Sequence, residues 1–181
     1  MECLFGCPAS LEGREEREAR TYAFLDGLGV SYARVDHDSA ETMEICREIE
    51  GTLGAPICKN LFLCNRQGTV FYLLMMPGDK PFKTKELSAQ INASRLFFAS
   101  PEKMLELLDI RPGSVSVLGL MNDRERGVHL LVDEDVLKQE YVGCHPCVNT
   151  STLRIRTADL LEKILPATGH TVQTVRLVGE V

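Results

Sequence analysis

Pro56-Ile57-Cys58-Lys59-Asn60-Leu61-Phe62-Leu63-Cys64 is an almost unbroken apolar run of strand length, and the turn-forming Asn65-Arg66-Gln67-Gly68 follows it. Such a run reads as a central strand with both faces covered. Side chains alternate along a strand, so Lys59 shares a face with Ile57, Leu61 and Leu63, and Asn60 shares the other with Cys58, Phe62 and Cys64. Each face therefore carries one polar group among apolar ones. A lysine held there loses hydration and needs compensation. On the residues alone, Lys59 is either a partner in a structural ion pair, a chain that snorkels to the sheet edge, or a cation fixed at the wall of a pocket.

Outward from this strand, Thr69 to Met76 is expected to pair back as an antiparallel hairpin. On the N-terminal side a helix is expected from Leu11 to Leu28, a strand over Val30 to Val35, and a second helix from a Ser39 cap to about Glu50. On the C-terminal side a short helix over Lys85 to Ile91 precedes a strand at Arg95 to Ala99. Ser100-Pro101-Glu102 is a helix start, with a cap residue, proline at the first position and an early acid. Ser114 to Leu118, Val128 to Val132 and Val148 to Thr152 read as strands, with a helical turn at Glu134 to Lys138. Thr157 is expected to cap a last helix to Leu165, before a strand over Thr171 to Val178. Strands outnumber helices and hairpins are more evident than βαβ repeats. The expected class is α+β, a mixed, strongly curved sheet with surrounding helices.

The 181 residues suit one domain, 1–181, with residues 1–10 a candidate mobile extension. No apolar run reaches the roughly 20 residues that span a bilayer. The start, Met1-Glu2-Cys3-Leu4-Phe5-Gly6, lacks the pattern of a secretory signal, so a cytoplasmic location and no membrane partner are expected. A formal net charge of −6 speaks against a coat on nucleic acid, and no DNA partner is expected. A local basic patch remains available at Lys80, Lys83 and Lys85, as a meeting point for an RNA end or as a solvated loop. The seven cysteines are scattered through apolar segments and read as reduced, small hydrophobes.

Cys144-His145-Pro146-Cys147 invites a metal reading. The zinc deaminase pattern fails, because no histidine is followed two residues later by glutamate. A four-cysteine zinc site from Cys3, Cys7, Cys144 and Cys147 is allowed by spacing. Cys144 and His145, as neighbours in an extended segment, point apart and make a poor nucleophilic dyad. Pro146 pushes His145 towards an extended backbone, and Gly143 permits close approach of the backbone to a ligand; a histidine packed in a turn is the plainer alternative. Arg111-Pro112-Gly113-Ser114-Val115-Ser116 offers a glycine turn whose N–H groups suit an oxyanion.

Three segments occur in one order: Lys59-Asn60-Leu61-Phe62-Leu63, then Pro112-Gly113-Ser114-Val115-Ser116-Val117-Leu118-Gly119-Leu120, then Gly143-Cys144-His145-Pro146 with Asn149-Thr150. Together with Thr157-Ala158-Asp159-Leu160-Leu161 and Thr168-Gly169-His170, they resemble the freestanding prolyl-tRNA editing family of the YbaK/ProX type, over roughly Arg14 to Val178. The resemblance implies a mixed α+β fold and hydrolysis of mischarged aminoacyl-tRNA, with alanine on tRNA(Pro) the commonest substrate. It implies that Lys59 positions the terminal adenosine and that His145 and the Gly113 loop shape the aminoacyl pocket. Lys59, Gly113 and His145 are thus the catalytic candidates. Asn60, Ser114, Val115, Gly143, Cys144, Pro146 and Thr150 are the substrate-binding candidates. No metal or cofactor is implied; the acceptor end of aminoacyl-tRNA is the partner, with a prolyl-tRNA synthetase acting in trans as a second. One departure stands out: the family's loop usually reads Gly-x-x-x-Pro, and the fifth position here is Val117. A valine there loosens the loop, so a relative that binds aminoacyl-tRNA without hydrolysing it is the alternative. A redox or zinc protein built on the cysteines is a third.

Overall fold

The computed structural model describes residues 1–39 and 42–179. In chain order it contains β1 (Leu4–Phe5), α1 (Glu16–Gly27), β2 (Tyr32–Asp36), α2 (Met43–Leu53), β3 (Cys58–Cys64), β4 (Phe71–Pro77), α3 (Thr84–Gln90), β5 (Phe97–Phe98) and α4 (Pro101–Leu108). A 3-10 helix (Val117–Asn122) leads to β6 (Val128–Asp133), α5 (Glu134–Leu137), β7 (Tyr141–Cys144) and β8 (Ser151–Arg156). The last helical stretch runs through α6 (Thr157–Asp159), a π turn (Leu160–Ile164) and α7 (Leu165–Thr168) to β9 (Val172–Val175).

The α+β class is as expected, and the strands divide between two sheets. One has the order β1-β2-β8-β7 and is antiparallel throughout. The other has the order β5-β3-β4-β6-β9 and is mixed, since β4–β6 and β6–β9 are parallel. A single bridge joins them, between Ile57 and Gly143, with the Gly143 N–H donating to Pro56 C=O at 2.9 Å. A Cβ on Gly143 would lie 2.7 Å from that carbonyl oxygen. The glycine is therefore needed for backbone-to-backbone contact between the sheets, which replaces the close approach to a ligand expected of it.

The central hairpin shows why the apolar run is unbroken. Cys58, Phe62 and Cys64 face a core shared with Leu73 and Met75 of β4, Tyr22 and Leu25 of α1, Leu153 and Ile155 of β8, and Leu108 of α4. Leu63, Leu74 and Met76 face the opposite way, under Leu87 of α3. Both faces are covered, so both must be apolar. The outer face of the other sheet is closed by α2, whose Ile49 and Leu53 pack on Ala33 and Val35; each such burial contributes about 1.5–3 kcal/mol.

Several expected boundaries move. The first helix begins at Glu16, because Leu11 to Arg14 forms a turn closed by Arg14 N–H to Leu11 C=O (3.1 Å). The second helix starts at Met43 with Thr42 as its cap, accepting from Ile45 N–H; part of the start expected from Ser39 falls on residues 40 and 41, outside the described residues. Ser114 to Ser116 is irregular and Val117 and Leu118 open the 3-10 helix, so no strand forms there. Thr157 does not cap the last helix, since its hydroxyl donates to Gln139 C=O (2.6 Å). Residues 1–10 carry β1, paired with β2. Among the described residues no helix is long and apolar enough to cross a membrane.

Candidate functional site

β4 occupies one edge of β3 along its whole length. On the other edge, β5 pairs only with Leu63 and Cys64, Ala99 N–H reaches Phe62 C=O, and Gly143 bridges Ile57. Between those contacts, from Cys58 to Leu61, the edge is unpaired among the described residues. A cavity of about 420 Å3 fills the gap. It is lined by Lys59 and Asn60, by Gly113 and Val115, by His145, and by an apolar wall including Phe62, Phe98 and Met104. Because the cavity lies along an edge, side chains from both faces of β3 reach it. Alternation thus keeps Lys59 and Asn60 on opposite faces without keeping them apart.

Each polar group here has unused hydrogen-bonding capacity. Lys59 Nζ donates to Lys80 C=O at 2.8 Å and pairs with no carboxylate among the described residues. An ammonium has three donors. The Asn60 amide nitrogen donates to Cys58 C=O (3.2 Å), which fixes the amide orientation, and its Oδ1 is buried with no partner among the described residues. A buried acceptor without a donor is uncommon and calls for one.

Gly113 sits at φ +88° in a turn closed by Ser114 N–H to Arg111 C=O (3.1 Å), with Pro112 before it. Proline followed by a positive-φ glycine is the type II pattern. The turn uses the Ser114 N–H, one of the donors expected to face an oxyanion. The N–H groups of Gly113 and Val115 have no partner among the described residues.

His145 follows β7. Its Nδ1 donates to the Ser151 carbonyl (3.0 Å), with Thr152 Oγ1 at 3.4 Å. A carbonyl can only accept, so the neutral ring carries its proton on Nδ1 and leaves Nε2 as an acceptor. His37 is fixed in the same tautomer, with Nδ1 to Asp38 C=O (2.6 Å) and Nε2 to Thr152 Oγ1 (2.8 Å). The Thr152 hydroxyl donates to His37 and stands beside His145. Burial, the main cause, and the repulsion that His37 would exert on a second charged ring push the His145 pKa below 6.5 against the raising effect of Ser151. The ring is neutral at neutral pH. Behind it, the Ser151 hydroxyl donates to Asp36 (2.6 Å), which Arg14 and Arg34 also hold. Burial alone would raise the Asp36 pKa, but these hydrogen bonds outweigh it and keep the carboxyl well below the usual range.

The remaining candidates lie off the cavity. Ser114 and Thr150 line a separate, smaller cleft with Arg111 and Asn149. Gly143 holds the sheet junction, Cys144 is 1% exposed in the core, and Pro146 is buried behind His145. Lys80 leaves the expected basic patch, because its ammonium turns inward to Asp133, Asp135 and Leu177 C=O. The four-cysteine zinc set is not assembled: Cys144 and Cys147 are core residues, and no group of three metal-ligating side chains exists among the described residues. Cys58 borders the cavity, but burial pushes its thiol up to about 12, too high for a useful thiolate. Sequence reasoning missed Thr152 and His37 as supports of His145; the β2–β8 register opposes Val35 to Thr152, which no local pattern reveals.

Residues 37–163 match the family of the aminoacyl-tRNA editing domain. The chain is 32% identical over 155 residues to the prolyl-tRNA editing protein ProX of Acetoanaerobium sticklandii, covering 86% of this chain and 94% of that one. It is 33% identical over 150 residues to prolyl-tRNA synthetase associated domain-containing protein 1 of Danio rerio, covering 82% and 80%. A solved structure of a proposed trans-editing enzyme for prolyl-tRNA synthetase superposes with a TM-score of 0.67, at 20% identity over 90% of this chain and 98% of the other, which supports the fold. The chain belongs to the aminoacyl-tRNA editing domain family, whose enzymes deacylate aminoacyl-tRNA.

Proposed function

We propose that the chain removes mischarged amino acids from tRNA(Pro) in the cytoplasm, with alanyl-tRNA(Pro) as its preferred substrate. One observation carries this reading: Lys59, Asn60, Gly113, Val115 and His145, from three distant segments, border one cavity of about 420 Å3. That volume is at the small end of ligand pockets.

An aminoacyl ester is already activated and the adjoining ribose hydroxyl can assist, so no protein nucleophile is required. The site contributes position and electrostatics. Lys59 holds the 3′ terminal nucleotide. The unpaired N–H groups of Gly113 and Val115 receive the carbonyl oxygen as it gains negative charge. Asn60 Oδ1 and the bare Nε2 of His145 are acceptors for the substrate ammonium and for the attacking water. Water adds to the carbonyl carbon, the ester C–O bond breaks, and free amino acid and a tRNA 3′ (or 2′) hydroxyl leave. Met104 and Val115 limit the acyl pocket, which admits alanine and excludes proline, as a second sieve does.

Side-by-side hydrolysis of alanyl-, cysteinyl- and prolyl-tRNA(Pro) tests the proposal. Alanyl-tRNA should be cleaved fastest and prolyl-tRNA spared; equal rates on all three would defeat the sieve. A prolyl-tRNA synthetase acting in trans would supply the substrate. The alternative, a binder without hydrolysis, rests on Val117. In the fold Val117 opens the 3-10 helix and is buried, a first-helical-turn position that a valine fills without disturbing the Gly113 turn.

A further inference from the structure

Beyond Lys59, the cavity continues into an open groove of about 520 Å3 lined by Leu61, Phe82, Lys83, Lys85 and Phe98. Lys59, Leu61 and Phe98 border both. Phe98 is 62% exposed and held edge-on by Phe82, ring centroids 6.1 Å apart. An aromatic ring so presented, in a short edge strand, has little packing reason to be there. Lys83 and Lys85 are exposed and pair with no carboxylate among the described residues. The nearest acid in sequence, Glu86, is turned away to the N–H groups of Val178 (2.6 Å) and Gly179 (3.2 Å). In a chain with a formal charge of −6, this is a local cationic, aromatic groove that runs into the cavity.

We propose that the groove is the track for the unpaired 3′ end of the tRNA, with a base stacked on Phe98 and the phosphates passing Lys83 and Lys85. The proposal rests on the deacylase reading for its occupant. Its chemistry is that of single-strand binding in general, in which aromatic faces take bases of any sequence and cations follow the backbone. The continuity through Lys59 sets the direction: the terminal nucleotide enters the cavity and the preceding nucleotides lie outside it.

Two measurements test it. In the first, a fluorescein-labelled hexaribonucleotide ending in CCA is titrated by anisotropy across a salt series. Phe98→Ala should weaken binding about tenfold, and Lys83→Ala/Lys85→Ala should flatten the log–log salt slope by about 1.4, at about 0.7 per phosphate. In the second, hydrolysis of alanyl-tRNA(Pro) is compared with that of 3′-O-alanyl-adenosine. The lysine double variant should raise KM for the tRNA about tenfold with kcat unchanged, and should leave the adenosine ester alone. Hexamer binding equal to wild type in all variants overturns the track, as does an equal KM rise on both esters. A blunt RNA duplex that loses affinity in the variants while the hexamer does not would also overturn it, by assigning the lysines to the stem. Should the wild type cleave neither ester, the deacylase reading fails, and the hexamer titration decides the groove by itself.

Discussion

The two ends of β6 and the open edge of β3 hold the same kinds of residue in opposite states. Past the C-terminal ends of β4 and β6, where its own carbonyl accepts from Lys59, Lys80 spends its ammonium on Asp133, Asp135 and Leu177 C=O. At the opposite, N-terminal end of β6, His170 engages both nitrogens, with Thr168 Oγ1 at 2.9 Å and Asp123 at 2.8 Å. Along the open edge of β3, among the described residues, Lys59 makes one hydrogen bond, His145 leaves Nε2 bare, and Asn60 Oδ1 has no partner. Burial does not distinguish the regions, since all these groups are wholly or partly covered. Spare hydrogen-bonding capacity does. Saturated polar groups stabilise and specify the fold, whereas unsaturated ones bordering a cavity still have donors and acceptors to offer, which the proposed function assigns to the substrate.

The sharpest way to break this comparison is to exchange consequences. Lys59→Ala should lower kcat/KM on alanyl-tRNA(Pro) at least about 100-fold with an unchanged unfolding midpoint. Lys80→Ala strands Asp133, which is fully buried, and should cost about 3 kcal/mol in urea unfolding with normal activity per folded molecule. Similar stability losses in both would erase the distinction.

His145→Ala should lower the rate about 100-fold, and its pH dependence sharpens the point. Burial holds the folded-state pKa below 6.5, while the unfolded chain titrates near 6.5. The unfolded chain thus binds the proton more readily. The ring's contribution to stability is whole above pH 6.5 and is lost as pH falls through the lower folded value. The wild-type to His145→Ala rate ratio should stay flat as pH drops past 6.5, then fall; a fall centred at 6.5 would mean an exposed ring.

Thr152→Val removes the hydroxyl between His37 and His145 and keeps the shape. About a tenfold loss in kcat with little change in KM is expected, and Thr152→Ser should restore most of it. If Val115 limits the acyl pocket as proposed, Val115→Ala should raise prolyl- relative to alanyl-tRNA hydrolysis about tenfold. The smallest effect is expected from Val117→Pro. The site is the first residue of a 3-10 helix and its N–H has no partner among the described residues, a position proline tolerates. Rates within about twofold of wild type would show a loop already fixed by Gly113, and a large gain would show that valine weakens it.

Much of this was legible locally. The apolar run of β3, the hairpin, the Ser100-Pro101 helix start and the turn at Gly113 follow from periodicity and from residues whose backbone freedom is narrow or unusual. Lys59 and His145 were visible as polar residues in apolar or constrained surroundings. Lys80 was misread as part of a patch with Lys83 and Lys85, because adjacency in sequence says nothing about which lysine finds Asp133, some fifty residues on. Gly143 was read as room for a ligand and proved to be room for the Pro56 carbonyl; a glycine announces a close approach without naming what approaches.

The sequence by itself determined that β3 is central, that the class is α+β, and which ordered motifs relate the chain to the editing family, since each depends on patterns within a few residues. Only the tertiary structure decided that β3 has an unpaired edge between Ile57 and Phe62, and that Lys59 and Asn60 both reach it. It also decided that His145 is held in one tautomer and that Cys144 is core. Those outcomes depend on strand partners and hydrogen-bond acceptors drawn from distant parts of the chain, and no local rule carries that information.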